Sequence, residues 1–232
     1  MLGIIIQLAI SWLIIWLFEK KSLSVLGFRP TIKRLISFLV FFLISAAFCS
    51  TEFLMKMYFG KQEWHLNPNL SLRLVVEGTW WNIKSVLFEE LIFRGVLLYI
   101  LIKHLGFSKA IIISAIAFGV YHWFSFGILG QLIPMIWVFI MTGAMGLLLA
   151  YGYTKTFSLY IPIAVHLGWN LTSIFIFSRG PIGAGVWVPD STKPFRTDSY
   201  FLFFLVTFLP MVLLFLTDYL LLKRRKQAQI PS

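Results

Sequence analysis

The sequence from Val86 to Leu98 is VLFEELIFRGVLL, an apolar run that carries three charged side chains. The apolar residues in it and after it predict a membrane-spanning helix. The three charges are Glu89, Glu90 and Arg94. A charge near the bilayer centre costs about 2.5–3.5 kcal/mol on insertion scales, so three of them together require partners and a use. This stretch therefore predicts both a helical membrane fold and the place of a functional site.

The composition of the whole chain is typical of a membrane protein. Hydrophobic residues make up 59% of its 232 residues and charged residues only 12%, whereas a soluble domain is about 45–50% apolar and 25% charged. We therefore predict an all-α fold, a polytopic membrane helix bundle of about seven transmembrane helices. The seven apolar stretches are residues 2–18, 35–59, 82–102, 110–127, 131–152, 159–177 and 199–222.

The spans leave little room for a soluble domain, so residues 1–232 are predicted to form a single integral-membrane domain with a motif-bearing catalytic core at about 82–172. Twelve basic residues lie on one side of the predicted spans and six on the other. The positive-inside rule then predicts a cytoplasmic C-terminus, and we expect the cell membrane as the location. The twelve are Lys20, Lys21, Arg29, Lys33, Arg34, Lys103, Lys109, Lys155, Lys223, Arg224, Arg225 and Lys226, and the six are Lys56, Lys61, Arg73, Arg179, Lys193 and Arg196.

This topology also explains the net charge of +11, so the expected partner is the lipid bilayer and no nucleic acid is expected. Residues 60–81 and 178–198 are the longest non-apolar segments, and both are predicted outside. Within the first, helical spacing of apolar residues predicts an interfacial helix over 70–81. Asp218, near the inner end of the last span, is interpreted as an interfacial residue.

The charged residues of the third predicted span divide into two roles. Glu90 and Arg94 are four residues apart, which places them on one helical face in an order that favours an ion pair. Glu89 is rotated by about 100° from Glu90 around the helix, so it need not form an ion pair with the arginine. Glu89 is therefore the better candidate for chemistry. A purely structural interpretation, an Arg–Glu lock between spans, remains open.

Two further spans carry polar residues. The fourth contains the sequence from Phe118 to His122, and the sixth contains His166 and Asn170, which share a helical face. At about 1.5 Å rise per residue, Glu89, His122 and Asn170 lie about 20 Å from the cytoplasmic boundary and His166 lies about 14 Å from it. All four are therefore expected in mid-membrane, and we treat them as one constellation.

These residue types suit hydrolysis at a carbonyl group by activated water. Glu89 can act as a general base on water, and His122 can help to hold or polarise that water. His166 and Asn170 are hydrogen-bond donors that can stabilise an oxyanion. No serine or cysteine is placed as a nucleophile, so direct attack by water is preferred.

Three alternatives stay open. Two histidines and a glutamate are also a zinc set, although the chain has no His-Glu-x-x-His and asparagine is a poor zinc ligand, so we expect no metal or other cofactor. Intramembrane acids and histidines also mark transport pathways, but neither broken helices in pairs nor repeated halves are present. The third alternative is a non-catalytic immunity or scaffold protein.

The three motifs, taken in order, resemble those of the CAAX prenyl protease and bacteriocin-processing (CPBP, or Abi) family, to which the Ras-converting enzyme belongs. Glu89 to Arg94 resembles the family's Glu-Glu-x-x-x-Arg motif, Phe118 to His122 its Phe-x-x-x-His motif, and His166 to Asn170 its His-x-x-x-Asn motif.

The resemblance implies a multi-span glutamate protease in which Glu89 and His122 activate water while His166 and Asn170 form the oxyanion hole. Older descriptions of the family as metalloproteases keep zinc as an alternative. Eukaryotic members remove the last three residues of prenylated CAAX proteins, and other members are linked to bacteriocin immunity or peptide maturation. The resemblance thus implies a peptide or protein substrate as the partner. A prenylated substrate is one of the alternatives, and no motif selects among these substrate classes.

Overall fold

The structure is a computed structural model, which describes residues 2–190 and 195–231. Lys193 is one of the six basic residues predicted on the non-cytoplasmic side, and it is not among the described residues. The described parts of the chain contain seven α-helices and one short two-stranded sheet. The helices are α1 (Leu2–Glu19), α2 (Ile32–Gly60), α3 (Leu72–Phe93), α4 (Val96–Ser125), α5 (Leu132–Thr156), α6 (Tyr160–Asn170) and α7 (Tyr200–Lys223).

The predicted all-α class is confirmed, since 75% of the described residues are helical. Among the described residues, five helical stretches are long and apolar enough to cross a membrane. One of them is the 54-residue stretch Leu72–Ser125, which covers α3 and α4. The stretch Tyr160–Ile176 is shorter; it comprises α6 and a π-helix, Leu171–Ile176, that continues it. The number of seven spans therefore stays a prediction.

The predicted third span, 82–102, is wrong in both of its bounds. α3 already begins at Leu72 and ends at Phe93, and α4 begins at Val96 after a turn at Arg94 and Gly95. The predicted interfacial helix over 70–81 is accordingly the first part of α3 and not a separate element. Apolar periodicity continues across the turn, which is why hydropathy alone missed it.

A second break lies inside α4, at Gly106. This glycine has φ 77° and ψ 172°, which is outside the helical region, and the chain on both sides of it is helical. The predicted connection between the third and fourth spans, around Lys103 and Lys109, is therefore a single non-helical residue. Glycine reaches a positive φ without a steric cost, so the chain can turn here within one residue.

The two segments predicted outside are joined by a small antiparallel sheet, which the sequence did not reveal. Strand β1 (Trp64–Leu66) pairs with β2 (Trp187–Pro189), and His65 lies opposite Val188. The strands are 120 residues apart in sequence and only three residues long. Because paired strands must lie on one side of a bilayer, the sheet agrees with the predicted common location of these segments.

The chain forms two compact units. The first comprises the chain up to Ser37, Leu87–Ile163 and the chain from Leu221 onward, and the second comprises the described parts of Phe38–Val86 and Ala164–Leu220. The core of the first unit includes Ile15, Leu98, Tyr99 and Tyr153. The core of the second includes a cluster in which Phe53 stacks on Phe177 at 4.3 Å. The single domain stays a prediction.

The interpretation of Asp218 as an interfacial residue stays a prediction. Its side chain lies within α7 and is 0% exposed. Neither carboxylate oxygen has a hydrogen-bond partner among the described residues.

Candidate functional site

Arg94 is a fully enclosed charged side chain of the first unit. Its Nη1 atom donates to Oε1 of Glu90 at 3.1 Å, and both side chains are 0% exposed. Its Nη2 atom donates to the carbonyl of Gly146 at 3.3 Å. The guanidinium also lies over the ring of Phe118, 4.1 Å from the centroid. An ion pair, a backbone acceptor and a cation–π contact thus hold Arg94 at the end of α3.

The turn between α3 and α4 requires a glycine. A Cβ atom on Gly95 would lie 2.1 Å from the carbonyl oxygen of Leu91, closer than two such atoms can approach. The hydroxyl of Ser114 donates to the carbonyl of Phe93 at 2.9 Å and so satisfies an acceptor that the interrupted helix leaves open. The sequence interpretation missed Gly95 and Ser114, the two residues that support this turn. A glycine directly after an intramembrane arginine was a signal in the sequence that could have indicated the turn.

A second glycine brings α5 close to the site. A Cβ atom on Gly146 would lie 3.0 Å from Cα of Ala115, so α4 and α5 are in close contact there. The close approach places the Gly146 carbonyl within reach of Arg94. Small residues at helix interfaces in membranes act in this way, because they let two backbones approach.

Glu89 and His122 face each other across α3 and α4. Oε2 of Glu89 lies 3.8 Å from Nε2 of His122, and the two side chains are 13% and 8% exposed. The other ring nitrogen, Nδ1, lies 2.7 Å from the carbonyl of Phe118, to which it must donate because a carbonyl only accepts. In the neutral imidazole, Nε2 is then an acceptor that faces the carboxylate.

The ring of Phe118 orients His122 and touches Arg94. It meets the imidazole edge to face, with centroids 4.5 Å apart and planes at 70°, while its face receives the guanidinium. One aromatic side chain therefore contacts both the buried ion pair and the histidine that faces Glu89. This arrangement gives a physical reason for an aromatic residue at the first position of the second motif.

Gln7, a polar residue of α1, was missed by the sequence interpretation. Its Nε2 atom donates to the carbonyl of Phe88 at 3.3 Å, directly before Glu89. A Cβ atom on Gly3 would lie 3.3 Å from the ring of Phe88, so α1 and α3 pack closely here. The available signal was an amide side chain within an otherwise apolar span.

His166 and Asn170 form a pair in the second unit. Nδ2 of Asn170 lies 3.1 Å from Nε2 of His166, so the amide donates one hydrogen to the ring and keeps a second N–H. The pair is held on α6 by close packing against α2. A Cβ atom on Gly168 would lie 2.5 Å from the carbonyl of Phe42, and the hydroxyl of Ser45 donates to the carbonyl of Val165 at 2.7 Å.

The structure therefore describes the seven predicted site residues as two groups. Within the first unit it brings together Glu89, Glu90, Arg94, Phe118 and His122. His166 and Asn170 are in contact within the second unit. Among the described residues, no group of three His, Cys, Asp or Glu side chains could hold a metal ion. The role of each residue in catalysis stays a prediction.

Comparison with known proteins gives one match. Residues 71–172 match the family model described as Rce1-like, type II CAAX prenyl endopeptidase Rce1-like. The matched region contains all three motifs, and the match confirms the resemblance inferred from them. Neither the curated proteins nor the solved structures include a significant match to the chain.

Proposed function

We propose that this integral membrane protein is an endopeptidase that hydrolyses its substrate with water activated by Glu89 and His122. The proposal is based on the match of residues 71–172 to the Rce1-like family model. The family implies a membrane protease with a peptide or protein substrate. The observation that supports the mechanism is the pair formed by Oε2 of Glu89 and Nε2 of His122, 3.8 Å apart. That separation is too long for a direct hydrogen bond.

A single water with hydrogen bonds of about 2.8 Å can donate to both atoms. Glu89 would take one proton of this water, and the other hydrogen would be directed to Nε2 of His122. Since Nδ1 of His122 donates to the carbonyl of Phe118, Nε2 is the ring nitrogen that accepts a hydrogen bond in the neutral imidazole. The resulting hydroxide attacks the carbonyl carbon of the scissile peptide bond.

The carbonyl oxygen becomes an oxyanion when the hydroxide adds. We assign its stabilisation to His166 and Asn170, since the amide of Asn170 keeps a second N–H beyond the one that faces His166. When the intermediate collapses, the C–N bond breaks and Glu89 returns its proton to the leaving amine. One water is consumed, and Glu89 is again a carboxylate. We assign Glu89 with His122 and His166 with Asn170 to the same peptide bond. This assignment rests on the predicted common depth of the two pairs and on the family resemblance.

Glu90 and Arg94 have a supporting role in this proposal. Their ion pair is fully buried, and it neutralises most of the charge that the motif introduces into the membrane. Glu89 can then be the carboxylate that carries the chemistry. Removal of a C-terminal tripeptide from a CAAX protein and maturation of a bacteriocin-type peptide are the two substrate classes to test.

The test is cleavage of a panel of fluorogenic peptides, with and without a farnesylated cysteine, by the detergent-purified protein. Glu89→Gln is compared with Glu77→Gln, an exposed position on the same helix. We expect cleavage by the wild-type protein and by Glu77→Gln, and a loss of about 10²–10⁴-fold in Glu89→Gln. Equal rates in all three proteins would contradict the assignment.

Each cleavage reaction is also run with a chelator. The proposed mechanism predicts unchanged rates, because the water is activated by protein side chains alone. Loss of activity on chelation and its return with zinc would instead favour the metal-dependent alternative. The farnesylated and unmodified peptides of the panel separate the two substrate classes.

A further inference from the structure

The small sheet has two outer edges, and their chemistry differs. β1 (Trp64–Leu66) and β2 (Trp187–Pro189) lie outside residues 71–172, the region that matches the family model, and neither strand has a part in the mechanism above. In a two-stranded sheet each strand pairs on one side, so its other side can pair with a further strand unless something prevents this. The groups at each edge therefore determine whether the sheet can bind a peptide.

The hydrogen bonds of the sheet show which backbone groups face outward. At one end, the N–H of Asp190 donates to the carbonyl of Glu63 at 3.0 Å, and at the other the N–H of Asn67 donates to the carbonyl of Val186 at 2.9 Å. In an antiparallel pair, residues that exchange such bonds alternate with residues whose N–H and C=O groups point away from the partner strand. The alternate residues of each strand between these two ends therefore face outward.

The outer edge of β2 is partly closed. Of its outward-facing residues, Pro189 lacks an N–H, and the carbonyl of Trp187 accepts from the hydroxyl of Ser178 at 2.6 Å. Proline and covering contacts are means by which proteins keep an edge strand from pairing. Two of the four outward-facing groups of β2 are thus missing or already bonded.

The outer edge of β1 is open. Trp64 and Leu66 alternate with the bonded residues, and among the residues that the structure describes their N–H and C=O groups have no hydrogen-bond partner. Leu66 is 54% exposed, so the edge is accessible. The two residues are about 6.7 Å apart along the strand, and an extended peptide repeats its N–H and C=O groups at the same interval. β1 can therefore form four hydrogen bonds with one further strand.

β1 is held in place without the help of its outer edge. Nδ1 of His65 lies 2.5 Å from Oδ1 of Asp190, and this contact ties the two strands together. The side-chain amide of Asn67 donates to the carbonyl of Gly185 at 2.8 Å. The side chain of Trp64 packs against the core cluster of the second unit. The edge is thus formed before a ligand arrives, which lowers the entropic cost of binding.

The edge groups of β1 fit one kind of ligand. The occupant must present N–H and C=O groups at a two-residue interval and must not use them internally, which an extended polypeptide satisfies and a helix does not. Peptides that add a strand to a sheet edge bind through the main chain in this way. The proposed function supplies such a ligand, because an endopeptidase binds polypeptides. Along the chain, β1 is followed by α3, the helix that carries Glu89.

We infer that the open edge of β1 binds an extended segment of the polypeptide substrate by strand addition, on the side of the membrane where the sheet lies. That the ligand is a substrate rests on the proposed function, whereas the edge itself contains none of the catalytic residues. The inference implies that the enzyme accepts polypeptides with an unfolded segment outside the membrane. It also implies that this segment is recognised through its backbone, so that its side chains can vary.

The first test compares binding to two variants of the Glu89→Gln protein, in which no turnover is expected. The probe is a fluorescein-labelled peptide of alternating threonine and valine with lysine at both ends, and its binding in detergent is measured by fluorescence polarisation. Leu66→Pro removes an outward N–H but none of the bonds to β2, so we expect binding weaker by about 10-fold. Leu66→Val keeps the N–H and should bind as before. Equal affinities of the two variants would overturn the inference.

The second test changes the peptide and leaves β1 intact, so it does not depend on the folding of Leu66→Pro. The same probe with every backbone N–H methylated keeps its side chains but cannot donate to the edge. We expect it to bind the Glu89→Gln protein more weakly than the unmodified probe, by about 10-fold or more. Equal binding of the two probes would exclude main-chain recognition and with it the inference.

A cleavage arm separates this inference from the proposed function. In a peptide of the fluorogenic panel that the wild-type protein cuts, single N-methyl groups are placed at successive positions away from the reacting bond. Because the reacting bond fixes the register, KM should rise at every second position of the bound segment, while kcat stays unchanged. A rise in KM without this alternation would contradict strand addition. If no peptide is cut, the proposed function fails, and the two binding tests still decide whether the edge binds a peptide.

A second copy of the chain is the competing occupant, since two open edges could pair with each other. Light scattering, corrected for bound detergent, gives the oligomeric state of the purified protein and of Leu66→Pro. A dimer that Leu66→Pro dissociates, together with equal binding of the two probes, would assign the edge to a second copy and overturn the inference. An oligomeric state that Leu66→Pro leaves unchanged, together with weaker binding of the methylated probe, supports it.

Discussion

At the scale of single residues, the polar side chains of the site have two different roles: some stabilise the fold, and others are proposed to take part in the reaction. Glu89 and Glu90 are adjacent in sequence but have different surroundings. Glu90 is fully buried against Arg94, whereas Glu89 is 13% exposed and faces His122. A helix rotates by about 100° per residue, so neighbouring carboxylates project in different directions. This difference lets one carboxylate stabilise the membrane fold while the other is available for a reaction.

His122 provides a test of the water-activating pair. His122→Gln removes the acceptor Nε2 opposite Glu89, and we expect kcat to fall by about 10²–10⁴-fold while membrane insertion is retained. His104→Gln is the control, since it changes an exposed histidine of the same helix. Peptide cleavage and yield from the membrane fraction are measured for both variants. Wild-type kcat in His122→Gln would remove this residue from the mechanism.

Arg94 is the matching test of the structural pair. In Arg94→Ala, Glu90 remains in a fully enclosed site without its cation, and such a loss destabilises by about 3–5 kcal/mol. The thermal unfolding midpoint in detergent should fall strongly. Arg73→Ala breaks an exposed Arg–Glu pair of α3 and should leave the midpoint unchanged. Equal midpoints for both variants would show that the buried pair does not stabilise the fold.

At the scale of elements, the site is built where helices are interrupted or approach closely. α3 ends at Phe93, one residue before Arg94, and the turn that follows gives Arg94 access to Glu90, Phe118 and the backbone of α5. Ser114 compensates for the interruption with a hydrogen bond. Interrupted helices are tolerated in membranes only where such bonds satisfy the backbone, and here a neighbouring helix supplies them.

Gly95 tests this turn. In Gly95→Ala the new Cβ atom would lie 2.1 Å from the carbonyl oxygen of Leu91, so the end of α3 must move. We expect a lower unfolding midpoint together with reduced peptide cleavage, because Glu89 and Arg94 flank the displaced segment. Gly143→Ala is the control, since its nearest contact would be an ordinary 3.8 Å and alanine favours helix. A Gly95→Ala protein with wild-type stability and activity would contradict the need for this glycine.

At the scale of the whole molecule, the distribution of basic residues predicts the topology, and thiol labelling can test this prediction. Cys49 is the chain's single cysteine and is 0% exposed, so the unmodified protein provides an unreactive background. Glu63→Cys introduces an exposed thiol before β1, and Gln229→Cys introduces one in the tail. A membrane-impermeant maleimide should label Glu63→Cys in intact cells and Gln229→Cys only after permeabilisation.

Labelling of both variants in intact cells would place the two segments on the same side and would refute the predicted orientation. Labelling of neither variant before permeabilisation would do the same. Labelling of the unmodified protein would show that Cys49 is accessible and would contradict its burial.

The sequence by itself determined the all-α class, the approximate ends of α1, α2, α5 and α7, and the two side-chain pairs within single helices. Glu90 with Arg94 and His166 with Asn170 are four residues apart and are in contact, because the helical period alone brings such residues together. The three motifs also indicated the family resemblance, which the match of residues 71–172 to the Rce1-like family model confirms.

Only the tertiary structure decided which groups meet across elements. The contact of Glu89 with His122, the bond from Arg94 to Gly146 and the pairing of β1 with β2 join residues that are 33 to 125 positions apart. The break at Gly95 belongs with them, since Arg94 and Ser114 stabilise it through contacts with neighbouring helices. Local periodicity contains no information on such pairs, because they depend on how close two backbones come, and glycines such as Gly146 set that distance.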